Sequence, residues 1–461
     1  MSTTDGKSAR RQETLWGAGG KVDAQMLAYT VADDREVDAR LIRWDILGSL
    51  GHVQGLPIRP GELREWTRAL RAALDAADAR RLTIGDEHED VHSAVEFWLT
   101  KRFGDVGLGI HAGRSRNDQV AVDLRLYLRN AVLSLHAQAL AAADTLVRFA
   151  ARNRTVLWPG YTHQRRAMPS SAGLWALAHA EGLLDSAESL DALYRRIDRS
   201  PLGSAAGYGT PLPYDRKGVA RALGFAGPEA SVTSVQNGRG KLEAAVLFWC
   251  SEIARDLAKL SSDVILFSAE EFGWLVLPAE LATGSSIMPH KRNPDLFELT
   301  RARAAQVEGA LAEVMALGRG LPSGYHRDFQ FLKAPLFRGI DRTTEMLGMI
   351  TSAVPRLLVD KVRGKRALSG DILATDEVFR RMTEGVPFRA AYRAVAAEVK
   401  QGAKMPDLTP AQIVAARKAV GGMGDLALGA ARRRLGAGRR WNGKARRKWE
   451  GALATLAGER R

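Results

Sequence analysis

The sequence predicts an all-α protein organised around a bundle of long helices, and three observations carry that prediction. Proline is absent between Pro60 and Pro159 and again between Pro228 and Pro278, and proline is the residue that most reliably interrupts a helix. Apolar residues recur at three- and four-residue spacing over long stretches, the signature of a helix with one buried face. Alternating apolar and polar runs, which would mark strands, are scarce, and no repeat of fixed period is present.

Four stripes follow in chain order. Val120, Leu124, Leu128, Val132 and Leu135 trace the first, continued by Leu140 and Leu146. A second passes through Leu242, Val246, Ile253, Leu257, Leu260 and Val264. The third covers Leu299 to Leu317 and the fourth Leu336 to Ile350. Parallel stripes of this length suggest a helical bundle. So few slender helices cannot cover every apolar face alone, so association of several chains is expected.

At 461 residues the chain has room for roughly three domains. The divisions expected are an N-terminal helical domain over 1–113, the central bundle over 114–360, and a small C-terminal helical domain over 361–461. The charged, glycine-bearing stretch Asp360–Gly370 reads as the hinge into the last. No apolar run reaches the roughly 18–20 residues that span a bilayer, so no membrane partner is expected. Met1–Glu13 is polar and lacks the apolar core of a signal peptide. Cys250 is the only cysteine, which excludes an intrachain disulfide and a thiolate zinc site. A cytoplasmic location is the expectation.

The net charge of +15 favours anionic ligands. Part of the excess lies in Arg432–Arg434, Arg439–Arg440 and Lys444–Lys448, with Trp441 and Trp449 interleaved. Such a mixture can grip a nucleic-acid strand. The preferred reading is a helical end of the C-terminal domain with solvated arginines, because the two tryptophans lie eight positions apart and share a helix face. Gly436, Gly438 and Gly443 suggest that its first part is a turn. Nucleic acid is not expected as a partner.

The most informative segment is Gly284-Ser285-Ser286-Ile287-Met288-Pro289-His290-Lys291-Arg292-Asn293-Pro294. It gathers hydroxyls, an ammonium and an amide between turn residues and ends where a helix should begin. Asn293 suits the N-cap and Pro294 the first helical position, with Glu298 in the first turns. A loop of this kind can close over an anion. Three further segments carry polar groups that a plain bundle does not need. Arg114, Ser115 and Asn117 precede a long helix and can cap it while holding a carboxylate. Thr162 and His163 end the turn Trp158–His163. Tyr325, Gln330 and Lys333 offer groups suited to the polar head of an amino acid. The loop Gly203–Gly209 lacks the ending and the preceding strand of a phosphate loop.

The segment Gly284–Pro294 resembles the signature loop of the fumarase/aspartase superfamily. With Gly113–Gln119, Gly160–His163 and the Tyr325/Gln330/Lys333 spacing, the chain resembles the argininosuccinate lyase family from about Leu15 to Phe388. Glu89-Asp90-Val91-His92, Pro201–Ser204 and Gly385–Arg389 are similar to further family patterns. The resemblance implies a three-domain, all-α homotetramer whose active sites each draw on three subunits, acting on argininosuccinate with no metal or cofactor.

It also implies roles. Ser285 is the candidate base, and Lys291 and Asn293 would hold the developing aci-carboxylate. His163, oriented by Glu298, is the candidate acid. Asp90, Arg114, Ser115, Asn117, Thr162, Tyr325, Gln330 and Lys333 are candidate substrate contacts. Departures fall on fine contacts. Asp34 or a neighbour stands where many members have a serine, Gln164–Met168 is altered, and Arg239 falls one place off the family's arginine, so that role is not carried over. The alternatives are a sibling lyase, of the adenylosuccinate lyase or fumarase type, and a non-catalytic structural relative.

Overall fold

The computed structural model describes residues 23–459 except 369 and 406. The polar stretch Met1–Glu13 and Leu15, where the resemblance starts, lie outside the described residues. The chain opens with α1 (Ala24–Val31), α2 (Asp34–Asp38), α3 (Ile42–Val53), α4 (Pro60–Asp78), α5 (Val91–Phe103) and α6 (Asp105–Gly109). The long helix α7 (Arg116–Arg152) follows. It starts at Ser115 because the Ser115 hydroxyl accepts from the Asn117 N–H while the Asp118 carboxylate accepts from the Ser115 N–H. That reciprocal cap satisfies two helix-end donors.

After α7 comes the hairpin of β1 (Leu157–Thr162) and β2 (Arg165–Ser171), then α8 (Ala172–Ile197), a long helix that the four stripes did not include. Short helices α9 (Arg216–Ala222) and α10 (Ser234–Asn237) lead to α11 (Lys241–Ser268), α12 (Asp295–Leu317) and α13 (Lys333–Ala353). These helices bury one continuous apolar core with α7 and α8. Each predicted stripe therefore lies on a real bundle helix. The strands are short two-stranded pairs, so the all-α expectation holds.

The C-terminal part contains α14 (Lys361–Arg366), α15 (Ala374–Thr383), α16 (Phe388–Lys400), α17 (Pro410–Ala415) and α18 (Leu428–Ala457). Here the structure corrects the reading of the basic tail. It is one continuous helix of 30 residues, with no opening turn, and it packs on α7, α8 and α3 instead of on α15 and α16. Glycine explains the packing. A Cβ at Gly438 would lie 2.9 Å from a Leu140 methyl, so glycine permits the close approach to α7. Charge pairing adds to this, because Arg434 meets Asp185 at 2.5 Å and Glu188 at 2.7 Å, and also Glu181. The shared face of the tryptophans is present: Trp449 is buried and Trp441 donates to Asp191 at 3.0 Å. Arg432, Arg433, Arg440, Lys444 and Arg447 stay exposed. Among the described residues no helix is long and apolar enough to cross a membrane.

Candidate active site

Three separate groups of side chains emerge from these elements. The first lines a cleft of about 250 Å³ walled by Asp34, Asp38, Glu89, Asp90, His92, Arg116, Asn117, Val120, Arg239, Tyr325, Arg327, Phe329, Gln330 and Lys333. Of the sequence candidates it gathers Asp90, Asn117, Tyr325, Gln330 and Lys333. Ser115 and Arg114 stand just behind, the first as the cap of α7 and the second donating to the Ser49 hydroxyl at 2.9 Å.

Local structure explains the placement. Asp90 caps α5 by accepting from the Ser93 N–H at 2.8 Å, and it also meets Arg116 at 3.0 Å. Burial would raise its carboxyl, but the neighbouring His92 and Arg116 charges and the Ser93 donors hold it below the usual range. Gln330 donates to the carbonyls of Thr30 and Val31, at 3.0 and 3.2 Å, so it fastens the N-terminal segment over the cleft. Lys333 is buried, with its Nζ 2.6 Å from Asp34 and 2.5 Å from Asp38.

Arg239 was not carried over from the sequence, yet the structure places it in this wall. Its Nε donates to Glu243 at 2.8 Å, its Nη2 reaches the Phe329 carbonyl at 3.4 Å, and its guanidinium lies 5.6 Å over the Phe329 ring. Its Nη1 is buried without a partner. A carboxylate four residues on, at Glu243, was the local signal available, although Arg239 itself precedes α11. Asp38, Arg116 and Arg327 also belong to the wall.

Beneath the cleft lies a fully buried group in which His92 Nδ1 sits 2.9 Å from Asp45 and 3.7 Å from Asp123, while Gln119 donates to Asp45 at 2.6 Å. These three ionisable groups are close enough together to ligate a metal ion. They also make sense as a buried ion pair. Burial disfavours charge throughout, but the Asp45 hydrogen bond and charge raise the His92 imidazole, and His92 lowers Asp45. Burial, with Asp45 nearby, pushes the Asp123 carboxyl well above the usual carboxylate range. The cluster ties α3, α5 and α7 together behind the cleft wall.

The second group is the hairpin tip. His163 and Gln164 both have positive φ, 52° and 56°, and they form the two-residue turn between the paired Thr162 and Arg165. Turns of this hand match the twist of the strands they join. Thr162 and His163 are exposed there, above an aromatic base in which Trp158 stacks on Trp274 at 5.8 Å.

The third group is the loop before α12. Thr283–Gly284 pairs antiparallel with Arg292–Asn293, pinching the loop at its neck. Asn293 does not cap the helix. Its amide donates across the neck to the Gly284 carbonyl at 3.3 Å, Pro294 takes the cap position without a side-chain bond, and α12 begins at Asp295. The helix therefore starts one residue later than the sequence suggested, because the ladder claims Asn293. The Ser285 hydroxyl accepts from the backbone N–H groups of Ile287 and Met288, at 3.3 and 3.1 Å. Lys291 and Glu298 are exposed. Among the described residues no hydrogen bond or ion pair joins Glu298 to His163.

The bundle sets these groups apart. The cleft holds Arg116 and Asn117 at the start of α7, whereas the hairpin follows its end. The 37 residues of α7 extend about 55 Å at ~1.5 Å per residue. The loop precedes α12 and the Tyr325–Lys333 segment follows it, so its 23 residues separate them by about 35 Å. One chain thus presents the candidate substrate contacts of the cleft at one end of the bundle and the candidate acid and base at the other.

Known proteins share this arrangement of sequence and fold. A family model described as a lyase matches residues 53–309. An argininosuccinate lyase of Sorangium cellulosum is 44% identical over 91% of this chain and 98% of its own length. Another, of Parabacteroides distasonis, is 40% identical over 86% of this chain and 89% of its own. In solved structures, EDDS lyase in complex with formate superposes with a TM-score of 0.79, at 24% identity over 95% of each chain. A class II fumarase from Schistosoma mansoni gives a TM-score of 0.70, at 16% identity over 83% of this chain and 89% of that one. Identity and coverage of this order, on top of the matched loop, hairpin and cleft residues, place the chain in the argininosuccinate lyase family of the fumarase/aspartase superfamily.

Proposed function

We propose that this chain is a carbon–nitrogen lyase that splits argininosuccinate into arginine and fumarate, in arginine biosynthesis in the cytoplasm. The observation that carries the reading is the cleft. Its four carboxylates face four cationic groups at close range, a lining suited to a ligand that is itself an amino acid with further charges. The relatives named above bear this activity in their names.

The chemistry requires a weakly acidic C–H proton and a guanidino nitrogen to leave adjacent carbons. Proton removal first gives a carbanion that spreads onto the neighbouring carboxylate. The site therefore needs a base, positive charge where the dianion forms, and an acid for the leaving nitrogen. Ser285 is the base in this reading. A serine hydroxyl is a weak base in water, but two backbone N–H groups aimed at its oxygen favour the ionised form. Lys291 and Asn293 then stabilise the aci-carboxylate, and closure of the loop excludes water. His163 delivers the proton to the leaving guanidine, directly or through water. Asp90, Arg114, Ser115, Asn117, Thr162, Tyr325, Gln330 and Lys333 build the substrate site, with Gln330 acting through its grip on Thr30 and Val31.

The separation of the three groups supports a homotetramer with sites shared between subunits. The bundle helices expose Phe248, Leu266, Leu299, Met315 and Met349, apolar surface that further copies of the chain would cover. Antiparallel stacking of such bundles brings the cleft end of one chain to the loop end of another. The direct experiment mixes purified protein with argininosuccinate and follows fumarate by absorbance. Release of fumarate without added metal or cofactor supports the reading. Turnover of adenylosuccinate with argininosuccinate untouched would replace it with the sibling activity, and turnover of neither would favour a non-catalytic relative.

A further inference from the structure

The basic residues of α18 divide by the face of the helix they occupy. Those on its flanks are matched by the elements beneath. Arg434 meets Glu181, Asp185 and Glu188 of α8, Arg439 meets Asp144 of α7 at 2.8 Å, and Lys448 meets Asp198 at 3.3 Å. Arg433, Arg440, Lys444 and Arg447 are exposed along the crest, and among the described residues no carboxylate pairs with any of them. Their intervals of seven, four and three residues put all four on one helix face. The opposite face, with Ala431, Leu435, Trp449 and Leu453, is buried. The crest is thus a straight row of cations about 21 Å long, at ~1.5 Å per residue.

Each crest arginine lies back over a glycine one turn earlier. A Cβ on Gly429, Gly436 or Gly443 would stand 3.5, 3.2 and 3.2 Å from the Nη1 of Arg433, Arg440 and Arg447, respectively. No group from another element comes within 4 Å of those three positions. Glycine is disfavoured inside a helix, and no packing contact compensates for it here. What the glycines provide is room for the guanidinium groups to lie low along the rod.

A straight row of unpaired cations with no acid among them fits a linear polyanion. A helix that binds a membrane surface needs an apolar face for the headgroup region, but the apolar face of α18 is buried against α7, α8 and α3. A single nucleic-acid strand is gripped by aromatic side chains on which its bases stack. Here Trp449 is buried, and Trp441 turns inward to Asp191, Tyr194 and His136. A duplex needs neither, because its phosphates line the outside of a stiff rod. We propose that the crest of α18 is a docking surface for the phosphate backbone of double-stranded DNA. From Gly429 to Arg447 the exposed positions hold only glycine, alanine, arginine and lysine. No side-chain acceptor there can pair with a 2′-hydroxyl, and arginine and lysine suit phosphate, so contact is to the backbone and independent of base sequence. From the sequence alone these arginines read as solvated and nucleic acid as an unexpected partner; their shared face and missing partners change that reading. The crest also stays open in the assembly proposed above, since α18 packs on α7, α8, α3 and α9 while the apolar surface assigned to association lies on α11, α12 and α13.

The test titrates the assembled full-length protein into a short fluorescent DNA duplex of mixed sequence and follows anisotropy at salt between about 50 and 200 mM. The logarithm of affinity should fall with the logarithm of salt at a slope of about −3 to −4, as four phosphate contacts require at about −0.9 each. Replacing the duplex by one of different sequence should leave the affinity unchanged within about twofold. Arg440→Gln/Arg447→Gln should reduce the slope by about 2 and weaken binding at least about tenfold at the lower salt. Arg439→Gln/Lys448→Gln removes the same charge from the paired flank and should weaken binding less than about threefold. Equal weakening by the two variants would mean that net charge alone attracts the duplex, and it overturns the proposal. Absence of duplex binding by the wild type at the lower salt overturns it without any variant. Stronger binding to an RNA duplex or to anionic phospholipid vesicles would overturn it by naming a different occupant.

Discussion

The two ends of the helical bundle are built on opposite principles. At the cleft end, charges are buried and already paired: Lys333 between Asp34 and Asp38, Arg116 against Glu89 and Asp90, Arg239 on Glu243. At the other end the candidate acid is exposed and the candidate base half-buried. His163 rides on an exposed hairpin tip, and Ser285 on a loop held only at its neck. The difference teaches how the work is divided. In the proposed reading, recognition is assembled within one chain, whose own core holds it in place. In that same reading, the reactive groups are displayed for another chain, and association completes their surroundings.

If that division is real, substitutions at the two ends should fail in different ways. The largest effect on stability belongs to the cleft end. Lys333→Met removes the cation shared by two nearly buried carboxylates and leaves them facing each other. Loss of one partner of a buried charge set costs about 3–5 kcal/mol, so chemical denaturation should show a comparable loss of folding free energy. A variant as stable as the wild type would mean that the wall is not preorganised by this ion pair.

Ser285→Ala should behave in the opposite way. The hydroxyl organises only its own exposed turn, so stability and assembly should stay close to wild type. Turnover should fall by about 10²-fold or more, the usual scale for loss of a positioned base. Activity near the wild-type value would move the base elsewhere.

A smaller effect sharpens the same contrast through pH. Asp118, behind the cleft at the cap of α7, has its carboxyl pushed up to about 6 by burial, against the lowering effect of Arg114 and of the Ala205, Ser115 and Gly203 N–H groups. The folded state thus binds a proton more readily than the unfolded chain. Its contribution to stability is fully present below the unfolded value near 3.8, is lost as pH rises through the window up to about 6, and is constant above. Stability against urea should show that fall, about 2–3 kcal/mol at most, and Asp118→Asn should flatten it. An equal slope in the variant would assign the titration to other groups.

Much of this was legible in the sequence, for reasons that also mark where reading stopped. The bundle helices were visible because each needs a long apolar face. The loop, hairpin and cleft segments were visible because turn residues and polar groups sit together in sequence. Arg239 was not placed in the cleft because nothing local in the sequence shows that Phe329, in a segment distant along the chain, will hold it there. Asn293 was assigned to a cap because a propensity cannot see the ladder that competes for it. The basic helix was misplaced because nothing local to Gly438 announces that Leu140, nearly three hundred residues earlier, will press against it. In each case a partner distant in sequence made the decision.

The central claim is that a complete site needs more than one chain, and mixing two inactive variants tests it most directly. His163→Ala and Ser285→Ala proteins are each purified, unfolded, refolded together and assayed for fumarate release. With shared sites, some mixed assemblies contain a site that retains both residues, and part of the wild-type activity should return. Mixed assemblies that are shown to form yet remain as inactive as either parent would contradict the account and place each active site within a single chain.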